Sequence, residues 1–297
     1  MKDLKIIQPQ KQSMNLLKPE EVLIIGDTCR DHNLIGEVSG LSPEAPIPIL
    51  TNPRHDLSLG MSYNFVRNLE RFFKGVPIPD ENLLFSKHPS DIWNYMDERS
   101  GQKLLRVDKI NKLFPEVLTF DKVSQRVHDK IKVIIAIDYD TGFLTSSLLS
   151  EIAVQYGSSK YLYIDTRKPN LTHLQGWKIK INDIEAAKAR KATKGFDDLD
   201  LIVTHGKEGS ETHDLFVHQK NKVDARDVTG CGETWLATFI YMYHSDDIVK
   251  ALTCGQHDLE EVMNLANLSA SITASHVGTY APTVKEIVDL YLKTKGV

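Results

Sequence analysis

The chain has 297 residues, 41% hydrophobic and 26% charged, which is enough apolar material for the core of one large α/β domain. With 36 Lys and Arg against 40 Asp and Glu the formal charge is -4, which excludes the positive field that holds a nucleic-acid backbone or an anionic membrane and leaves a small molecule as the expected partner. The three cysteines, Cys29, Cys231 and Cys254, form no Cys-x-x-Cys pair, and no apolar run is long enough to span a bilayer, so neither a disulfide framework nor a zinc site nor a membrane anchor is expected, and a soluble cytoplasmic protein is.

Residues 1–20 read as a polar N-terminal extension without the apolar stretch of a signal peptide. The first element is Val22-Leu23-Ile24-Ile25, stopped by Gly26-Asp27, a short apolar run of the kind buried on both faces of a parallel sheet. Residues 34–51 carry three prolines among alternating apolar residues, which predicts edge strands joined by a turn and standing off the sheet as a lid. A helix is predicted over 64–73. Residues 75–101, rich in Pro, Asp, Asn and Ser, read as mostly loop with a short helix near 92–96.

Three more strand-like runs follow, each ended by a polar residue: Val133 to Ile137 before Asp138, Tyr161 to Ile164 before Asp165, and Leu201 to Val203 before Thr204. Helical patterns over 144–155 and 183–191 separate them, the second with Asn182 as its N-cap. The last third reads as helices over 234–243, 259–275 and 284–293. This alternation predicts βαβ crossovers and a three-layer α/β/α sandwich, in which ligands sit beyond the carboxyl ends of the strands. Acidic residues at those ends are candidates for chemistry, although each is equally suited to capping the next helix.

The segment Asp227-Val228-Thr229-Gly230-Cys231-Gly232-Glu233-Thr234 runs directly into an apolar helix. Glycines on either side of one residue let N–H groups converge at a helix N-terminus, where the macrodipole favours an anion. The third glycine of a dinucleotide fingerprint is missing, as is the Gly-Lys-Ser/Thr ending of a Walker A loop. Glu233, at the edge of this cradle, is placed to take a proton from an attacking hydroxyl while the helix start steadies a transferring phosphoryl group.

Many further segments share a pattern with that cradle: Gly26-Asp27 to Asp31, Ser42-Pro43-Glu44-Ala45-Pro46-Ile47-Pro48, Leu59-Gly60 with Asn64 and Arg67-Asn68-Leu69, Leu105-Arg106-Val107-Asp108, Asp138-Tyr139 with Gly142, Ile164-Asp165, Asn182 to Glu185, and Val203-Thr204 with Gly209. In these the chain resembles, over nearly its whole length, the PfkB (ribokinase-like) carbohydrate kinases. The Ser-Pro-Glu-Ala-Pro-x-Pro run is most similar to the heptose-7-phosphate kinases of lipopolysaccharide precursor synthesis.

The resemblance implies ATP and Mg2+ as cofactors, a sugar phosphate as acceptor and a homodimer formed through the lid. It implies that Asp27, Asp31, Gly60, Asn64, Arg106 and Asp138 surround the sugar, an arginine suiting a phosphate already on it. Catalysis falls to Glu233 with Gly230, Cys231 and Gly232. Asn182 and Glu185 correspond to the Asn-x-x-Glu motif of the magnesium environment, Glu185 acting through water. Thr204, Lys207, Gly209, Asp227, Thr229 and Asn267 fall at the nucleotide edge.

Two positions depart from the family. Glu233 stands where it has aspartate, and the extra methylene moves the carboxylate by about 1.5 Å. Met61 follows Gly60 where the family has paired glycines, adding a side chain where space or a positive φ is needed. Both departures also fit a second reading, a protein of this fold that binds ligand without turning it over. The stretch 72–103 looks shortened, and the His-x-Gly-His motif of the heptose enzymes' nucleotidyltransferase domain is absent from the sequence.

Overall fold

In the first strand, β1 (Val22–Gly26), Val22 and Ile24 belong to one buried apolar cluster and Leu23 and Ile25 to another, the period-2 alternation of a strand covered on both faces. The structure, a computed structural model, describes residues 16–111, 116–252 and 258–296. After β1 come β2 (Thr28–Leu41), β3 (Pro48–Met61), α1 (Ser62–Phe72), β4 (Leu83–Phe85), β5 (Ser90–Asp97), β6 (Lys103–Lys109), α2 (Phe120–Ser124), β7 (Val133–Asp138), α3 (Ser146–Tyr156) and β8 (Tyr161–Thr166). The chain continues through β9 (Lys178–Asn182), α4 (Asp183–Ala192), β10 (Leu201–Thr204), β11 (Gly209–Glu211), β12 (Phe216–His218), α5 (Cys231–Tyr243), α6 (Asp246–Leu252), α7 (Leu259–Ala274) and α8 (Val284–Lys295).

Eight strands form one sheet in the order β12-β11-β10-β9-β8-β7-β1-β4, parallel except for β11 and β12. The cluster holding Val22, Val133 and Ile135 packs against α1, α5, α7 and α8, and the one holding Leu23, Ile134 and Ile164 packs against α2, α3 and α4. This is the α/β/α sandwich expected. Of the expected N-terminal extension, residues 1–15 lie outside the described residues, whereas Leu17 is buried in the core and Pro19–Glu21 form a 3-10 turn leading into β1. Among the described residues no helix is long and apolar enough to cross a membrane.

The lid is larger than the 34–51 hairpin predicted. It is a four-stranded sheet in the order β3-β2-β5-β6, with β2 and β3 each 14 residues long. The stretch expected to be loop with a short helix near 92–96 supplies β4 and β5. In β5 the buried positions are Ser90, Ile92, Asn94 and Met96, and the alternation escapes a hydrophobicity pattern because two of the four are polar while Trp93 and Tyr95 occupy the other face.

Where β3 re-enters the core, Met61 precedes α1 with φ 57 and ψ -120, a conformation that favours glycine, and its side chain is buried against Cys29 and Ile92. The need for a positive φ at this position is therefore met by a non-glycine residue. Replacing Met61 by alanine removes packing but keeps the backbone strain, and glycine removes both. Chemical denaturation should show Met61→Ala losing about 2–4 kcal/mol and Met61→Gly losing about 1 kcal/mol less, the reverse of the usual order of these two residues.

Candidate functional site

The parallel register lines up the polar ends of four strands. Asp138 pairs with Thr166 across β7 and β8, Asp165 with Lys180 across β8 and β9, and Asn182 with Thr204 across β9 and β10. Lys180 and Asp165 are thus held side by side by the sheet, with Nζ 3.0 Å from Oδ2. Burial alone would lower the lysine pKa, but the Asp165 charge and hydrogen bond outweigh it and the value is raised, so this buried ammonium stays charged. Asp138 is fully buried and bound by Thr166 Oγ1 at 2.8 Å and Lys168 Nζ at 3.2 Å. Burial nonetheless raises its pKa.

Above this edge lies the start of α5. Gly230, the N-cap, has φ 82, and a side chain there would come within 2.6 Å of Asn64 Nδ2. At Gly232 an added Cβ would lie 2.7 Å from Lys180 Nζ, so a larger residue there would displace the ammonium. The Cys231 N–H turns back to Val228 O at 3.3 Å, leaving the N–H groups of Gly232 and Glu233 as unpaired donors among the described residues. The Cys231 thiol lies 3.5 Å from Ala270 O and burial pushes its pKa up to about 12, so at neutral pH it is neither nucleophile nor anion ligand.

Two cavities meet at this helix start and share Val228 and Gly232 as lining. One, about 420 Å³, lies under the lid and is bordered by Asp31, Gly60, Asn64, Arg106, Asp138, Asn182, Glu185, Thr229, Gly230 and Glu233. The other, about 620 Å³, is bordered by Thr204, Lys207, Gly209, Cys231 and Asn267. Sixteen of the eighteen residues singled out in the sequence therefore border one cavity or the other, and Asp27 and Asp227 do not.

Asp27, expected beside the sugar, lies behind the cleft wall, 1% exposed, where its carboxylate accepts from Tyr139 N at 2.7 Å and from the Thr141 hydroxyl. It holds the loop after β7. Asp227 likewise pins its own loop, accepting from Thr229 N and Gly278 N at 3.0 and 3.1 Å. Against the upward pull of burial, the Thr229 and Lys103 hydrogen bonds hold its pKa below the ordinary carboxylate value. Asn267 borders the larger cavity, but its side chain is taken up by Ser210 Oγ, Trp235 Nε1 and Val217 O. Asn182 and Glu185 cap each other at 2.8 Å in both directions, so both the capping and the cleft-lining readings of this pair hold. Arg106 pairs with Asp108 at 2.6 Å, and burial raises the pKa of Asp31 on the same face of the lid.

Lys180, Tyr139, Arg167 and Lys103 also line the smaller cavity, without a site role having been read for them in the sequence. Lys180 in Lys-Ile-Lys-Ile-Asn reads as a solvated strand residue, since its partner comes from another strand. Tyr139 donates to Glu233 Oε1, and Arg167 stacks 3.9 Å over the Tyr139 ring. Lys103 of the lid reaches Asp227 Oδ1 at 3.0 Å and Thr229 Oγ1 at 2.6 Å, tying the lid to the loop before the cradle. Only the position of Tyr139 next to a strand-end aspartate gave a sequence signal.

Asp27 also makes the site sensitive to pH. Burial, aided by the Asp138 charge and opposed by the Thr141 and Tyr139 hydrogen bonds, pushes its pKa from 3.8 up to about 6. Between those values the folded protein holds a proton that the unfolded chain has released, so rising pH removes stability through this residue. Asp27→Asn does not titrate. Urea titrations from pH 4 to pH 7 should therefore show the stability of wild type falling relative to this variant by about 2–3 kcal/mol.

Comparison with known proteins agrees with this geometry. The chain is 28% identical over 314 residues to the bifunctional protein HldE of Nitratiruptor sp., covering 91% of this chain and 64% of that one. It is 25% identical over 312 residues to the D-beta-D-heptose 7-phosphate kinase of Bordetella bronchiseptica, covering 90% and 94%. The chain thus spans just under two thirds of the bifunctional relative. Similar solved structures include ribokinase from Thermotoga maritima, with a TM-score of 0.59 at 14% identity over 92% of this chain and 99% of that one, and a Burkholderia thailandensis nucleoside kinase bound to inosine, with 0.61 at 16% identity over 93% and 98%. These structures share the ribokinase-like fold. Residues 131–286, more than half the chain and including β7, the strand ends of the cleft and the cradle, match the pfkB family carbohydrate kinases, and the chain belongs to that family.

Proposed function

We propose that the protein is an ATP-dependent kinase that phosphorylates a hydroxyl of a sugar phosphate of the heptose 7-phosphate type. The observation that carries this reading is the meeting of two cavities at one helix N-terminus, with a carboxylate, Glu233, on the side of the smaller cavity. The larger cavity suits a nucleotide whose terminal phosphate reaches Gly232. The smaller suits a polar, charged acceptor, since Lys103, Arg106, Arg167 and Lys180 border it together with Asp31, Asp138 and Asp165. The heptose assignment rests on the names of the curated relatives and on the Ser-Pro-Glu-Ala-Pro-x-Pro run.

In this mechanism the acceptor hydroxyl gives its proton to Glu233 as its oxygen bonds to the γ-phosphorus, and the bond from that phosphorus to the β,γ-bridging oxygen breaks with its electron pair leaving on ADP. The unpaired N–H groups of Gly232 and Glu233, with the Lys180 ammonium beneath, stabilise charge on the transferring group. Among the described residues no three metal-ligating side chains converge. Magnesium fits here only through water and the nucleotide's own phosphates, with Asn182 and Glu185 as the residues that would hold it. Its chemistry when bound is to neutralise phosphate charge.

The lid supplies a reason for pairing. Register places Asp31, Ile92 and Arg106 toward the cleft and Leu57, Leu59, Leu105 and Val107 on the opposite, outward face, where all four are exposed. A sheet face that exposes four apolar side chains beside the Arg30–Asp91 ion pair suits a second copy of the chain, giving a homodimer.

ATP consumption with magnesium, measured across sugar phosphates led by heptose 7-phosphate, should show turnover that Glu233→Ala lowers by about 10²–10⁴-fold. Turnover undiminished by that change would remove Glu233 as the base, and no turnover on any acceptor would count against the kinase itself. Light scattering should give twice the chain mass, reverting to one chain mass when Leu57 and Val107 are both changed to Glu.

A further inference from the structure

Aspartate and glutamate differ in more than reach: glutamate has one more rotatable bond, so a base at position 233 has to be held to be effective. The described residues give its carboxylate one hydrogen-bond donor, the Tyr139 hydroxyl, which binds Oε1 and leaves Oε2 with no hydrogen-bond partner among them. Tyr139 is itself fixed at three points. Its backbone N–H is bound by the buried Asp27 carboxylate, its ring packs on Cys29, Met61 and Ile92, and Arg167 covers its face at 3.9 Å. From these contacts we infer that Tyr139 is the positioning residue of this site, its hydroxyl holding Glu233 so that Oε2 faces the acceptor.

The inference rests on the kinase reading for its consequence in rate, but its geometry does not. Besides Tyr139, the groups that interact electrostatically with Glu233 are the Lys180 ammonium on β9 and the neutral thiols of Cys29 and Cys231, while Arg167 and Asp165 at the end of β8 act on Tyr139 and Asp227 before α5 acts on Cys231; none of these groups donates a hydrogen bond to the carboxylate. Removing the hydroxyl with Tyr139→Phe keeps the ring, its apolar contacts and the guanidinium stack, so folding is preserved and the change is confined to one donor.

With ATP and heptose 7-phosphate, Tyr139→Phe should lower kcat about 10- to 100-fold with KM changed less than about threefold. In a Glu233→Asp background, where the shorter carboxylate no longer reaches the phenol, the same change should lower kcat by less than about threefold. Equal losses in the two backgrounds, or a loss confined to KM, would overturn the inference. A second measurement is independent of turnover: three-bond side-chain couplings of Glu233, measured by NMR, should report one rotamer in wild type and averaging over several in Tyr139→Phe, because the carboxylate has lost the donor that holds it. If no acceptor is turned over this measurement decides alone, and unchanged couplings overturn the inference.

Discussion

A lysine ammonium that is 5% exposed, held 3.0 Å from one carboxylate and almost touching a glycine of the helix start, fixes the geometry of the whole cleft. Lys180 reaches Asp165 because β8 and β9 pair in one register, and a slip of one residue would turn one of them away. Its charge survives burial because Asp165 is there, and removing either partner would leave the other buried and uncompensated, at a cost of about 3–5 kcal/mol. The N-terminus of α5 lies over this pair at Gly232, where a side chain would collide with the ammonium.

Around this pair the cleft alternates charge. Asp138 is balanced by Lys168, Asp227 by Lys103 and Arg106 by Asp108. A cleft built this way carries little net field of its own, in keeping with a chain whose overall charge is only -4. Arg106 is held to Asp108 by two hydrogen bonds, so any group that replaces Asp108 has to offer a comparable fork of acceptors.

The core strands were legible because parallel strands covered on both faces are apolar throughout, so β1, β7, β8 and β10 stand out as runs with polar ends. The cradle was legible because glycine marks positions where the backbone must come close to something. The lid was read too small because β5 mixes polar residues into its buried face, and a strand serving a polar cleft need not alternate in hydrophobicity. The roles of Lys180 and Lys103 escaped because a side chain's meaning here depends on its neighbour across strands or between segments far apart in sequence: Lys103 and Asp227 are separated by 124 positions. Asp27 shows the opposite case. Its position in the sequence was informative, but which way its carboxylate turns was decided by Tyr139 N and Thr141, partners no local pattern reveals.

The lid hangs from the core by adjacent strands. β1 passes into β2 through Asp27 alone, β4 passes into β5 through residues 86–89, and both pairs run parallel, β1 beside β4 in the core and β2 beside β5 in the lid. β3 returns directly into α1 at Met61 and β6 leads back toward α2, so the lid joins the core at four places, and Lys103 ties it once more, to Asp227 and Thr229. A sheet joined at that many points is braced on several sides over the cleft. One of the joins is Asp27, whose carboxylate grips the Tyr139 loop, so a single residue secures both the roof of the cleft and its floor.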